Sequence, residues 1–285
     1  MKRSNDNLEW NRTERRSSFA WGYVFTVPLF IFALFFLSRC SVKEPLTKPQ
    51  ENRFTEMEIP RVDDAEFVVR CLDGRYTFRY DTTWRQARWV AHVLTRKDVE
   101  TDNAERRNSF IIDPEIRQRG WPYAVMTDYA NSGYDRGHLV PSADRKGSQQ
   151  ENDATFRMSN IAPQRPALNQ RIWNNLEAEL RRLARQLDTL WVVTGSSMGE
   201  TPLRIGKNGV GVPDVFFKTI LARRQGTYIA VTFLIPNREA IEGTYWDYAM
   251  PVSEAEVLLG IDFFPNLPDA IERQAEATFD PAQWR

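Results

Sequence analysis

The stretch "YDRGHLVPSADR", Tyr134 to Arg145, carries His138, one of only two histidines in the chain. Imidazole is the side chain that gives and takes protons near neutral pH. A scarce histidine set among charge and glycine is therefore a candidate acid–base group. It follows a strand-like lead-in and what reads as an Asp135-Arg136-Gly137 turn. A second candidate set lies in "PALNQRIWNNLEAELRRLARQL", where Asn169, Trp173 and Glu177 fall at i, i+4 and i+8 and share one side of a helix. Just upstream, "MSNIAPQRPALN" adds Asn160. Taken alone, these amides and the carboxylate look like ordinary exposed polar positions. His92, in "WVAHVLT", has apolar flanks and reads as a packed or exposed strand histidine.

These groups need a scaffold, and the pattern around them supplies one. "EFVVRCL" and "RYTFRY" flank Asp73-Gly74, a strong hairpin signal. "ARWVAHVLT" reads as a further strand or short buried segment. "TLWVVTGSS" and "TYIAVTFLIP" are apolar, β-rich runs ended by Gly or Pro. "IGKNGVGVP" holds an Asn208-Gly209 turn and lacks the Lys-Ser/Thr of a phosphate-binding loop. The helix runs from near Pro166 to about Leu187, with Leu168, Ile172, Leu176, Leu183 and Leu187 as its apolar stripe. Strands, then the histidine motif, then helix and strands imply an α+β fold with a largely antiparallel sheet.

Composition bounds the partners. Net formal charge is zero, so a polyanion must be met by a local basic patch. Cys40 and Cys71, the only cysteines, make neither a disulfide framework nor a metal cluster, and Cys71 reads as inert core. "FAWGYVFTVPLFIFALFFL", Phe19 to Leu37, is uncharged and long enough to cross a bilayer, with Arg12, Arg15 and Arg16 before it. The expected organisation is a cytoplasmic segment 1–18, a transmembrane anchor 19–38, a polar linker 39–64 and an extracytoplasmic working domain 65–285. A cleaved signal peptide or a lipid on Cys40 would be the competing outcomes.

Three motifs in order then resemble the DNA/RNA non-specific endonuclease family, the endonuclease G-like ββα-metal nucleases. They are "DRGH" at Asp135–His138, "SNIAPQ" at Ser159–Gln164 and "NQRIWNNLE" at Asn169–Glu177. "VPDVFFK" and "EVLLGIDFFP" look like later signatures of the same family, and the resemblance covers about Phe67 to Pro268. It implies a ββα-metal fold and metal-dependent, sugar-non-specific cleavage of DNA and RNA. It implies His138 as general base and Asn169 as direct ligand of one Mg²⁺, for which Mn²⁺ could substitute.

Glu177 lies roughly 12 Å further along an ideal helix and leans back toward the helix N-terminus, which favours binding the metal's waters. Asn160 is expected to steady the histidine or the water, Arg136 to clamp phosphate and Asp135 to fix the turn or orient a neighbour. "RRNSFIIDP" offers Arg106, with Arg107 adjacent, as an upstream phosphate contact. Arg181, Arg182 and Arg185 could extend a backbone-binding face. Family members are often homodimers. A phosphodiesterase for nucleotides or short oligonucleotides, and a non-catalytic nucleic-acid-binding module, are the alternatives.

Overall fold

The computed structural model describes residues 55–72 and 75–285. The expected membrane helix and the Asp73-Gly74 turn both lie outside the described residues. Among those described, no helix is long and apolar enough to cross a membrane.

The chain opens with an antiparallel meander, β1 (Val68–Cys71), β2 (Tyr76–Asp81) and β3 (Gln86–Thr95). It then leaves the sheet for more than ninety residues: α1 (Arg96–Glu100), α2 (Pro114–Gln118), β4 (Asp135–His138), α3 (Gln149–Ala154), β5 (Ile161–Gln164) and α4 (Asn174–Leu187). β6 (Thr189–Ser197) returns beside β3. A small hairpin, β7 (Arg204–Ile205) and β8 (Val210–Gly211), encloses the expected Asn208-Gly209 turn. β9 (Val215–Arg224), β10 (Thr227–Pro236), β11 (Ala249–Met250), α5 (Val252–Leu259) and α6 (Asp269–Glu276) complete the order. The main sheet runs β1-β2-β3-β6-β9-β10-β11, antiparallel at every pairing.

Strand alternation gives this sheet two apolar faces. Phe216, Ile220 and Ala222 of β9 join α4 residues Leu176, Leu180 and Leu183 in one buried cluster. Their neighbours Phe217 and Leu221 join Val252 and Ala255 of α5 and Phe263 and Phe264 in another. The period of two in β9 thus assigns one face to the histidine layer and the other to the C-terminal helices. The "IDFFP" segment packs on the face away from His138.

Three expectations change. Met57 is buried in the second cluster, and Arg61 pairs with Asp262, so the folded unit begins before Ala65. The Asp135-Arg136-Gly137 "turn" is strand: β4 pairs in full with β5, Asp135 opposite Gln164 and His138 opposite Ile161. The helix is not uniform either, because Leu168–Trp173 forms a π-helical turn before α4 begins.

Candidate active site

β4 and β5 form a two-stranded ribbon whose continuation, through Arg165 and the π-turn, is α4. Gly137 allows the two strands to close. A Cβ there would come within 2.1 Å of the Gln164 side chain, so glycine is required by that approach and not by a positive φ. At the end of β4, His138 stands against an aromatic wall, 4.9 Å from the Phe156 ring and 5.7 Å from Phe110. Its Nε2 is shielded from solvent and has no hydrogen-bond partner. Desolvation holds the imidazole down to about 3; Arg106 and Arg136 push the same way and a hydrogen bond to the Arg136 backbone opposes them. The ring is therefore neutral at physiological pH, with an unspent lone pair.

His138 opens onto a cleft of about 270 Å³ lined also by Arg106, Arg136, Asn169, Glu177 and Arg181. Asn169 reaches it from the π-turn. Its Nδ2 donates to Asp135 Oδ2 at 2.9 Å, as does Gln170 Nε2, so Asp135 orients both amides. That bond assigns the Asn169 amide and leaves Oδ1 without a protein donor among the described residues. A π-turn closes i→i+5 bonds, so Asn169 and Glu177 are not related by ideal α spacing, and the 12 Å axial estimate does not apply. Such turns are frequent at functional sites. Desolvation pushes the Glu177 carboxyl up to about 7, against the opposing fields of Lys218, Arg181 and Arg106.

The arginines divide. Arg106 Nη1 donates to Ser142 Oγ at 3.0 Å and its Nε to Asn108 Oδ1 at 2.9 Å, while the guanidinium lies 5.3 Å from the Phe156 ring. Arg136 lies 4.6 Å over Phe110. Arg107, expected as a substrate contact, instead points to Asp153 at 3.8 Å and is absent from the cleft lining. Arg181 enters the cleft; Arg182 pairs with Glu179, and Arg185 donates to the Val99 carbonyl.

Asn160 also departs from expectation. It is fully buried, accepting from Val140 N and donating to the carbonyls of Val140 and Thr155, all at 2.9 Å. Both side-chain polar atoms are spent on backbone, and Asn160 is not among the residues that line the cleft. It fixes the segment that leaves β4.

Beneath the cleft lies a buried charge network that the sequence does not announce. Arg181 Nη1 donates to Asp144 Oδ1 at 3.0 Å, and His92 Nε2 stands 3.8 Å from Asp144 Oδ2. Desolvation alone would raise the Asp144 carboxyl, but His92 and Arg181 outweigh it and hold it low. Desolvation likewise pushes His92 down to about 4, so the second histidine is a neutral core group. Lys218 of β9 is buried, donates to Thr194 Oγ1 at 2.8 Å and lies 4.8 Å from the Trp173 ring. Burial pushes its ammonium down while Glu177 opposes the shift. Arg145 Nη2 donates to the Arg75 and Val93 carbonyls, clamping the loop after His138 to the sheet. The signals were present only as charged residues inside apolar strands, Lys218 in "VFFKTIL" above all.

The donor set suits a hard divalent cation in one respect: an uncommitted amide oxygen and a carboxylate share a polar cleft. A cage of three or more His, Cys, Asp or Glu is absent among the described residues. Magnesium, which keeps several waters, needs no such cage.

Comparison with known proteins identifies the family. The family profile of DNA/RNA non-specific endonucleases matches residues 71–270. The chain is 35% identical to mitochondrial endonuclease G of Homo sapiens over 204 residues, 67% of this chain and 68% of that protein. It is 34% identical to a nuclease of Nostoc sp. over 222 residues, 73% of this chain and 78% of that one. A chain in the crystal structure of the EndoG/EndoGI complex superposes with a TM-score of 0.67 at 27% identity, covering 80% of this chain and 96% of that one. The chain belongs to the DNA/RNA non-specific endonuclease family and is a phosphodiester hydrolase.

Proposed function

We propose that the cleft hydrolyses DNA and RNA backbones with water activated by His138. The observation that carries this reading is a neutral imidazole with a shielded, unpaired Nε2, on a residue that lines a cleft of arginines. Arg106 and Arg136, laid on their aromatic rings, bind the scissile phosphate by charge and set its distance from Nε2. Nε2 takes a proton from the attacking water, the new P–O bond forms, and the bond to the leaving oxygen breaks. Asp135 holds the Asn169 amide by its Nδ2, which leaves Oδ1 uncommitted on a residue that lines the cleft. One Mg²⁺, with Mn²⁺ as substitute, would be held by Asn169 directly and by Glu177 through water, and would supply charge stabilisation at the phosphoryl and leaving oxygens. Arg181, anchored on Asp144, adds positive charge on the Glu177 side.

Plasmid DNA and RNA digestion, each with and without Mg²⁺, tests the reading. Wild-type protein cleaves both only with metal, and His138→Ala, still folded and still binding nucleic acid, loses about 10²–10⁴-fold in rate. Near-normal activity of folded His138→Ala would remove the histidine from the chemistry. Attachment to the membrane through Phe19–Leu37, with the nuclease outside the cytoplasm, and pairing as a homodimer complete the proposal. Membrane fractionation and sedimentation of full-length protein test these two points.

A further inference from the structure

We infer that Arg165, stacked on Tyr134, forms a second phosphate subsite that holds the polynucleotide beyond the scissile phosphate. The inference rests on the nuclease reading above and extends its binding surface.

Three arginines in this layer are built the same way, each guanidinium laid on an aromatic ring: Arg106 on Phe156, Arg136 on Phe110 and Arg165 on Tyr134, the last the closest at 4.2 Å. The first two line the cleft. Stacking fixes a guanidinium's plane while leaving its edge N–H groups to donate, so less side-chain freedom is lost when an anion arrives.

Tyr134 directly precedes β4, and Tyr134, Arg136 and His138 alternate along one extended run, so they share a side of it. Two residues of strand advance about 6.8 Å. From His138 to Tyr134 is thus two such steps, a distance a nucleic-acid strand covers in about four nucleotides at ~3.4 Å of duplex rise, and in fewer when stretched. Tyr134 and Phe110 pack on the same buried cluster, which ties the two arginine platforms into one wall.

The backbone of Arg165 is pinned at both ends. Its N–H donates to Asn237 Oδ1 at 2.7 Å, and Asn237 Nδ2 donates to the Pro163 and Pro213 carbonyls. Its carbonyl accepts from Leu168 N and Asn169 N, which links this residue to the turn that carries Asn169. The guanidinium itself meets one carboxylate, Glu239 at 3.2 Å, whose side chain is 82% exposed. The Arg165 side chain is 25% exposed, so its guanidinium edge still reaches solvent, and a pair whose carboxylate stands in water is screened by salt. A phosphate can therefore displace Glu239 at small cost.

The ligand is a backbone phosphodiester flanking the cut, recognised by charge and without base readout. The test uses full-length protein, comparing a long polynucleotide with bis(p-nitrophenyl) phosphate, which cannot reach the subsite. Arg165→Ala is expected to lower kcat/KM on the polynucleotide roughly tenfold relative to that on the small diester, as loss of a charge-assisted contact does. It should also reduce the slope of log affinity against log salt by about one. Glu239→Gln, which removes only the competing carboxylate, is expected to shift polynucleotide affinity upward and guards against misfolding of the first variant.

Equal losses on both substrates, an unchanged salt slope, or a Glu239→Gln protein that binds more weakly would each overturn the subsite. Failure of the underlying nuclease reading looks different: folded His138→Ala would then cleave both substrates as wild type does.

Discussion

At the residue scale, the site separates groups that line the cleft from groups that hold them. His138, Asn169, Glu177, Arg106, Arg136 and Arg181 line one cleft. Asp135, Asn160 and Asp144 act through them, by orienting an amide, fixing the segment after β4 and anchoring a guanidinium. Asn169 and Glu177 should respond differently to metal. Asn169→Ala removes the one proposed direct ligand, so activity falls steeply and excess Mg²⁺ recovers little. Glu177→Gln keeps a hydrogen bond to a metal-bound water and loses charge; a fall of about 10–100-fold, partly restored by raised Mg²⁺, is the expected outcome. A magnesium titration of both variants, with circular dichroism to confirm folding, measures it. If Glu177→Gln proves insensitive to metal and Asn169→Ala is rescued, the two roles exchange.

At the scale of elements, the ribbon β4–β5 and the π-turn determine where those groups sit. Gly137→Ala drives a Cβ into Gln164, whose atoms lie at 2.1–2.5 Å from that position. Overpacking of this kind costs about 1–3 kcal/mol, so Tm falls, and the ribbon must spread, displacing His138. Thermal melts and kcat measured together check this, and unchanged values for both would show that the ribbon tolerates the methyl group. Much of the supporting scaffold was legible: apolar, β-rich runs placed β6 and β10, the β3 run read as a strand or short buried segment, and the leucine stripe placed α4. β4 was not legible, because Asp, Arg and Gly are poor strand formers and only pairing with β5 makes "DRGH" extended. The π-turn was hidden for a similar reason, since Leu168 and Ile172 fit the helical period whether the turn is α or π.

At the scale of the whole molecule, one antiparallel sheet separates the cleft layer from α5 and α6. The buried charges that support the cleft couple its integrity to pH. Apart from Lys218 within "VFFKTIL" they gave little sign in the sequence, because an aspartate or arginine declares burial only through its neighbours in space. His92 is the clearest case: its folded value of about 4 lies below the ordinary 6.5. Below pH 6.5 the unfolded chain takes up a proton that the folded chain refuses until about pH 4. This contribution to stability is therefore intact above pH 6.5 and falls through that window, by about 3 kcal/mol in all. Urea melts between pH 7 and 4 should show a shallower dependence for His92→Gln than for wild type; identical slopes would mean that His92 titrates alike in the folded and unfolded chain.

His138 is held neutral in the same way but lines the cleft, and the proposed hydrolysis depends on its lone pair. Imidazole rescue tests that directly. His138→Gly leaves a gap against Phe110 and Phe156, and cleavage of plasmid DNA should fall about 10²–10⁴-fold. Added imidazole should restore part of it saturably, with rescue growing as the fraction of neutral imidazole rises with pH. A folded His138→Gly protein that cleaves at the wild-type rate would contradict the account, as would rescue that tracks imidazolium in place of the free base.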